Sequence, residues 1–242
     1  IPASLSSGLG QINVFVDMSF ASSFKGAGAA LAYGNFLIQA PLGVVSNAII
    51  LPLLPKLSKL KNKKNHQKLN KVLISSIENC LLATLLVAGL IICFNDLLVD
   101  LLFQRGEFDL EDGKTVKNIL IAYALGLPAY LLRDLLVRTY YLIEKTTLPF
   151  ILSIWGIGLN YFCDWMLIGA PIKNSGNLLP YNFEVVGLVL SSGIVNLIIC
   201  ICLSIRLKNF IKPLPHLLLL RKTFLMLFAC TFSIIIANNI NN

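Results

Sequence analysis

Long apolar runs separated by short polar connections constrain this chain more than any other feature. A membrane-spanning helix needs about 20 mostly apolar residues. About seven such runs can be marked, at 5–24, 27–54, 70–99, 115–143, 147–170, 184–206 and 217–237. Charged residues make up only 13% of the chain and hydrophobic ones 56%. A soluble domain carries about 25% charged residues, so too little polar side chain is present to coat a water-facing globule. Disorder is excluded as well, because it requires low hydrophobicity. The expected fold class is all-α: a polytopic transmembrane helix bundle. Prolines mark its expected irregularities. Pro41 should kink the second helix, and Pro52 and Pro55 should end it. Pro128 is placed to bend the fourth, and Pro149 suits the first turn of the fifth.

The connections give an orientation. Residues 55–71 carry Lys56, Lys59, Lys61, Lys63, Lys64, Lys68 and Lys71 and no acid. Residues 206–222 carry Arg206, Lys208, Lys212, Arg221 and Lys222, again without an acid. The stretch 100–114 is acidic, with Asp100, Glu107, Asp109, Glu111 and Asp112 against Arg105 and Lys114. Lysine and arginine concentrate in cytoplasmic loops. Four runs separate the two basic loops and place them on one face, while the acidic loop falls on the other. The first helix then runs outward, and the short turn near Lys145 is cytoplasmic. The net charge of +8 is thereby a topology signal. It calls for anionic lipid headgroups as neighbours and not for nucleic acid.

Polar side chains inside the runs are the candidate functional positions, since each is costly in hydrocarbon without a partner or water. Several stand at i,i+4 spacing, which stacks them on one helix face. They are Asn13 with Asp17, Asn35 with Gln39, Asp134 with Arg138, and Asn160 with Asp164. Gln11 lies one turn before the first pair, and Arg133 adjoins the third. Glu78, Asn79 and Asn196 occur singly. Plainer readings stand beside each. Asn79, Asn160 and Asn196 suit helix-to-helix hydrogen bonding. Asp134 and Arg138 suit an intrahelical ion pair with the acid first. Asp17 is the hardest to explain structurally, because a carboxylate near mid-span costs about 2.5–3.5 kcal/mol. It should face a wet cavity, a cation or a hydrogen-bonding neighbour. Tyr140, Tyr141, Trp155 and Trp165 lie toward run ends, where amphipathic rings favour the interface.

No catalytic constellation is visible. His66 and His216 lie in basic loops with no nucleophile near them. Cys80, Cys93, Cys163, Cys200, Cys202 and Cys230 all sit in apolar surroundings without zinc or disulfide spacing. No phosphate loop is present. The reading is of a non-enzyme without a cofactor or bound metal. Transport would be driven by a coupling cation, membrane potential or substrate gradient.

Several ordered segments carry a resemblance. They are Gly10-Gln11-Ile12-Asn13 through Phe20-Ala21-Ser22, then Ala32-Tyr33-Gly34-Asn35-Phe36-Leu37-Ile38-Gln39-Ala40-Pro41-Leu42-Gly43-Val44. Leu51-Pro52-Leu53-Leu54-Pro55-Lys56-Leu57-Ser58 and the loop Leu102-Phe103-Gln104-Arg105-Gly106-Glu107-Phe108-Asp109 follow. Next come Arg138-x-Tyr140-Tyr141 with Thr146-Thr147-Leu148-Pro149, and Val186-Gly187-Leu188-Val189-Leu190-Ser191-Ser192. In order and spacing this set resembles the C-terminal portion of the MurJ (MviN) family of lipid II flippases, within the MOP exporter superfamily. The likeness is strongest over 8–149 and weak after about 207.

The resemblance implies one lobe of a two-lobe transporter of the bacterial inner membrane. Residues 1–206 would form the C-terminal lobe, with about six helices. Residues 207–242 would add a basic loop and one further transmembrane helix. Its partners would be lipid II or a similar undecaprenyl-linked precursor, membrane lipids, and an N-terminal lobe belonging to the same protein. Lipid-linked peptidoglycan precursor would cross from the cytoplasmic to the periplasmic leaflet by alternating access. Asp17, Asn35, Gln39, Asp134 and Arg138 are the expected cavity or coupling positions, with Gln11 and Asn13 beside them. One departure concerns the eighth family helix, which often has an Arg following an Asp, where this chain reads Asn35-Phe36. Other readings are a polysaccharide-lipid or multidrug exporter of the same superfamily, and an inactive scaffold or truncated product.

Overall fold

The computed structural model describes residues 2–62, 66–103, 110–168 and 183–207, and side-chain surroundings for 12–60, 67–103, 111–168 and 183–207. Among the described residues there is helix and no strand. The order is α1 (Pro2–Ala21), α2 (Ala27–Val45), a π-helical turn (Ser46–Ile50), α3 (Leu51–Asn62) and α4 (His66–Cys93). Then follow α5 (Asn95–Phe103), α6 (Leu110–Leu142), α7 (Thr147–Leu167) and α8 (Glu184–Leu207). Five described stretches are long and apolar enough to cross a membrane: Ala27–Leu60, Gln67–Cys93, Glu111–Leu142, Thr147–Leu167 and Glu184–Leu207. They match the second to sixth expected runs. The first run is α1, and the seventh, 217–237, lies outside the described residues.

Helix α6 organises the bundle. Val116, Leu120, Ala124, Leu127, Leu131 and Leu135 recur at three- or four-residue spacing and are all buried, which makes one continuous apolar stripe. Against it pack α8, α4 and α2, while α7 packs on α8 and α1. Outward faces are apolar too. Leu82, Leu86 and Leu90 on α4, Trp155 on α7, and Leu197, Ile201 and Ile205 on α8 are all exposed. Buried polar groups inside and bare aliphatic side chains outside are what a lipid solvent demands.

Two helix ends differ from expectation. Pro52 and Pro55 do not stop the second span, which runs on to Asn62. The π-helical turn absorbs the irregularity. The Ser46 N–H donates to the Leu42 and Gly43 carbonyls, and the Leu51 N–H donates to the Ser46 carbonyl one residue further back than in an α-helix. Pro52 then falls in the first turn of α3, where its missing N–H is tolerated. The third span stops at Cys93 rather than 99. Buried Asn95 donates from Nδ2 to the Lys117 carbonyl at 3.1 Å, and α5 restarts there. Lys117 Nζ holds α5 to α6 through Asp96 and Asp100, each at 2.9 Å. Helix α6 is continuous through Pro128. Tyr140 is fully buried instead of lying at an interface, and its hydroxyl donates to the Leu203 carbonyl at 2.9 Å. An internal acceptor there satisfies the polar tip that water would otherwise take.

Glycine sets the closest helix approaches. A Cβ at Gly34 would lie 2.6 Å from Ile119 Cγ2, and one at Gly156 would lie 2.9 Å from Ile199 Cδ1. A Cβ at Gly126 or Gly193 would sit 3.4 Å from the other residue's Cα. Gly26, with φ 77°, makes the left-handed turn that admits α2.

Candidate functional site

Helices α1, α2, α6, α7 and α8 line a half-open cavity of about 760 Å³. Each helix presents one stripe to it. Asn13 and Asp17 come from α1, Asn35 and Gln39 from α2, and Asn160 from α7. Ser192 and Asn196 come from α8 and Tyr123, Tyr130 and Arg133 from α6. The Gly126–Gly193 approach lets α6 and α8 meet closely at this cavity, which both glycines line.

Part of this polar lining forms a connected network. Asn160 Nδ2 donates to Asp17 Oδ1 at 2.8 Å and to Asp164 Oδ2 at 3.0 Å. A single amide nitrogen thus draws together carboxyl groups from α1 and α7. Asp164 is wholly buried and also accepts a hydrogen bond from the Ser191 hydroxyl of α8. Ser192 Oγ donates to Asn160 Oδ1 at 3.3 Å. Asn196 Nδ2 donates to the Ser192 carbonyl at 2.8 Å, and Arg133 Nη1 donates to Asn196 Oδ1 at 2.9 Å. A line of contacts therefore runs from two acids at one end to a guanidinium at the other.

Asn160 and Ser191 are neutral donors to the acids, and the two carboxyl groups also lie in contact with each other. Among the described residues no lysine or arginine pairs with Asp17 or Asp164. Two carboxyl groups at such a place cannot both stay ionised cheaply without a proton or a bound cation.

Four sequence candidates meet at the cavity: Asn13, Asp17, Asn35 and Gln39. Gln39 Nε2 also donates to Asn35 Oδ1 at 3.3 Å, the geometry that i,i+4 spacing anticipates. Asp134 and Arg138 lie outside the cavity lining and pair with each other, Arg138 Nε standing 3.0 and 2.9 Å from the two carboxylate oxygens. Gln11 is in α1, and its side-chain surroundings lie outside the described residues.

Sequence pattern does not mark Arg133, Asp164 or Ser192 as site residues, and Asn160 and Asn196, which suit helix-to-helix hydrogen bonding, join them in this network. One signal for Arg133 was available. Arg138 has an acid four residues before it, whereas Arg133 has none at three or four residues in either direction. An intramembrane arginine without a partner on its own helix must find one elsewhere. The signal for Asp164 was its i,i+4 relation to Asn160.

Comparison with known proteins agrees with this architecture. A family model described as "Lipid II flippase MurJ" matches residues 1–241. A "Probable lipid II flippase MurJ" of Synechocystis sp. is 36% identical over 166 residues, covering 69% of this chain and 31% of the relative. One from Rhizobium meliloti is 33% identical over 160 residues, covering 66% of this chain and 30% of the relative. A solved structure, "Lipid II flippase MurJ, inward closed conformation", superposes with a TM-score of 0.79 at 22% identity. It covers 98% of this chain and 46% of that one. The chain thus spans about a third of the curated relatives it matches and just under half of that structure.

Proposed function

The chain belongs to the MurJ family of lipid II flippases, and on that footing we propose that it is the C-terminal lobe of such a transporter. In this reading a second, N-terminal lobe of the same protein faces the cavity. The two move lipid II, or a similar undecaprenyl-linked precursor, from the cytoplasmic to the periplasmic leaflet by alternating access. The observation that carries the proposal is the polar network opening onto the cavity of about 760 Å³ inside an apolar-faced bundle. A polar headgroup needs such a path, and its lipid chain can remain against the apolar exterior. The protein acts as a transporter and not as a catalyst. It sits in the bacterial inner membrane among anionic lipids, with loops 55–71 and 206–222 cytoplasmic. Residues 1–206 form the lobe, and 207–242 add the basic loop and a further span. Most of this last stretch lies outside the described residues.

The acid cluster supplies the coupling in this reading. Asp17 and Asp164, bridged by Asn160, take a proton or a monovalent cation, or respond to membrane potential through one. Hydroxyl and amide oxygens of Ser191, Ser192 and Asn160 complete an oxygen-rich set suited to a hard cation. Binding there changes the charge at the junction of α1, α7 and α8 and so biases how these helices pack.

Depletion of the native flippase in a bacterial host tests the function. The full-length protein carrying this chain is expected to restore growth and cell-wall synthesis. Failure of a well-inserted copy would overturn the proposal.

A further inference from the structure

We propose that α5 is a membrane anchor, with its leucine face seated at the headgroup boundary of one leaflet and its other faces clamped to helices that wall the cavity. Its depth follows from α4. From Lys71, the last lysine of the basic stretch, to Cys93 an α-helix rises about 33 Å at 1.5 Å per residue. The hydrocarbon core is about 30 Å thick. The chain has therefore reached the far boundary where α5 begins. That leaflet is the one opposite the basic loop 55–71, and it is the outer one in the orientation proposed above.

Three faces divide this short helix. Asn95 and Val99 are buried toward the bundle. Asp96 and Asp100, four residues apart, hold Lys117 Nζ. Leu97 and Leu101, also four apart, are 60% and 62% exposed, and Phe94 just before the helix is 51% exposed. Water would leave these large apolar side chains bare, while hydrocarbon would strand two acids and a lysine. The boundary between the two suits both faces. The occupant is lipid because the row is continuous with the outward row Leu82, Leu86 and Leu90 of α4. The clamps give the anchor a bearing on the cavity. Asn95 Nδ2 and Lys117 Nζ fix α5 to α6, and the Phe103 ring stands 4.7 Å from that of Tyr33 on α2. Helices α2 and α6 both wall the cavity. Through α5 the leaflet therefore holds these two walls at the end nearest the acidic loop.

Nitroxide labelling of the full-length, otherwise cysteine-free protein in nanodiscs tests the anchor. Collision with oxygen, which partitions into lipid, is compared with collision with a water-soluble nickel chelate. A label at Leu97→Cys is expected to meet oxygen more than the chelate, and one at Asp96→Cys on the adjoining face to show the reverse. Leu101→Cys carries the test if Leu97→Cys fails to fold. Chelate preference at both faces would place α5 in water and overturn the inference. Oxygen preference at both would place it in the hydrocarbon, and exclusion of both reagents from the leucine face would mean a protein neighbour; either overturns it too. The measurement requires no lipid II, so the anchor and the flippase reading stand or fall separately.

Discussion

Asn160 binds two carboxyl groups with one nitrogen, so its loss has a sign that can be stated. Asn160→Ala leaves Asp17 and Asp164 facing each other without the donor between them. Thermal unfolding in detergent should register a loss of about 1–3 kcal/mol. Asn160→Ala in an Asp17→Asn background should lose less, because one charge has gone and the pair is coupled. Equal losses in both backgrounds would remove the idea that Asn160 acts as a bridge. These residues differ in how legible they were. Asp17 stood out because a mid-span acid is expensive wherever it lies. Arg133 was masked by the ion pair beside it, and Asp164 became significant only when folding brought α1 against α7.

Helix pairs show the same division. The runs themselves were plain, since hydrocarbon thickness fixes how long an apolar helix must be. Five of them match described spans to within a few residues, apart from the ends already noted. Their irregularities were not plain. Proline states a local cost, but where the strain is released depends on neighbours, and here it falls at Ser46–Ile50. The α2–α6 contact can be tested directly. Gly34→Ala would drive a methyl to within 2.6 Å of Ile119 Cγ2, a β-branched carbon with little room to swing. Overpacking of this kind costs about 1–3 kcal/mol. Ile119→Ala alone should also destabilise, and the double variant should be more stable than the sum of the two losses implies. Strict additivity in thermal melts would mean that the two positions do not meet.

Across the whole chain, apolar runs make a helical bundle legible in the sequence, and the loop charges give the expectation of one basic side. The cavity could not be read the same way. It is built from stripes on five helices, and single-helix patterns do not say which stripes converge. The orientation is open to measurement. In a cysteine-free full-length background, Lys59→Cys should react with a membrane-impermeant thiol reagent only in inverted vesicles. Labelling from the periplasmic side in intact cells would reverse the assignment. Coupling between the acid cluster and lipid movement can be followed by tracking lipid II between leaflets. The measurement uses cells that depend on the full-length protein, with periplasmic lipid II cleaved enzymatically and scored. The wild type is expected to expose lipid II, while Asp17→Asn and Asp164→Asn, inserted at equal levels, should leave it protected in the inner leaflet. Exposure by both variants at the wild-type rate would contradict the role assigned to the cluster, and a wild type that exposes none would contradict the function itself.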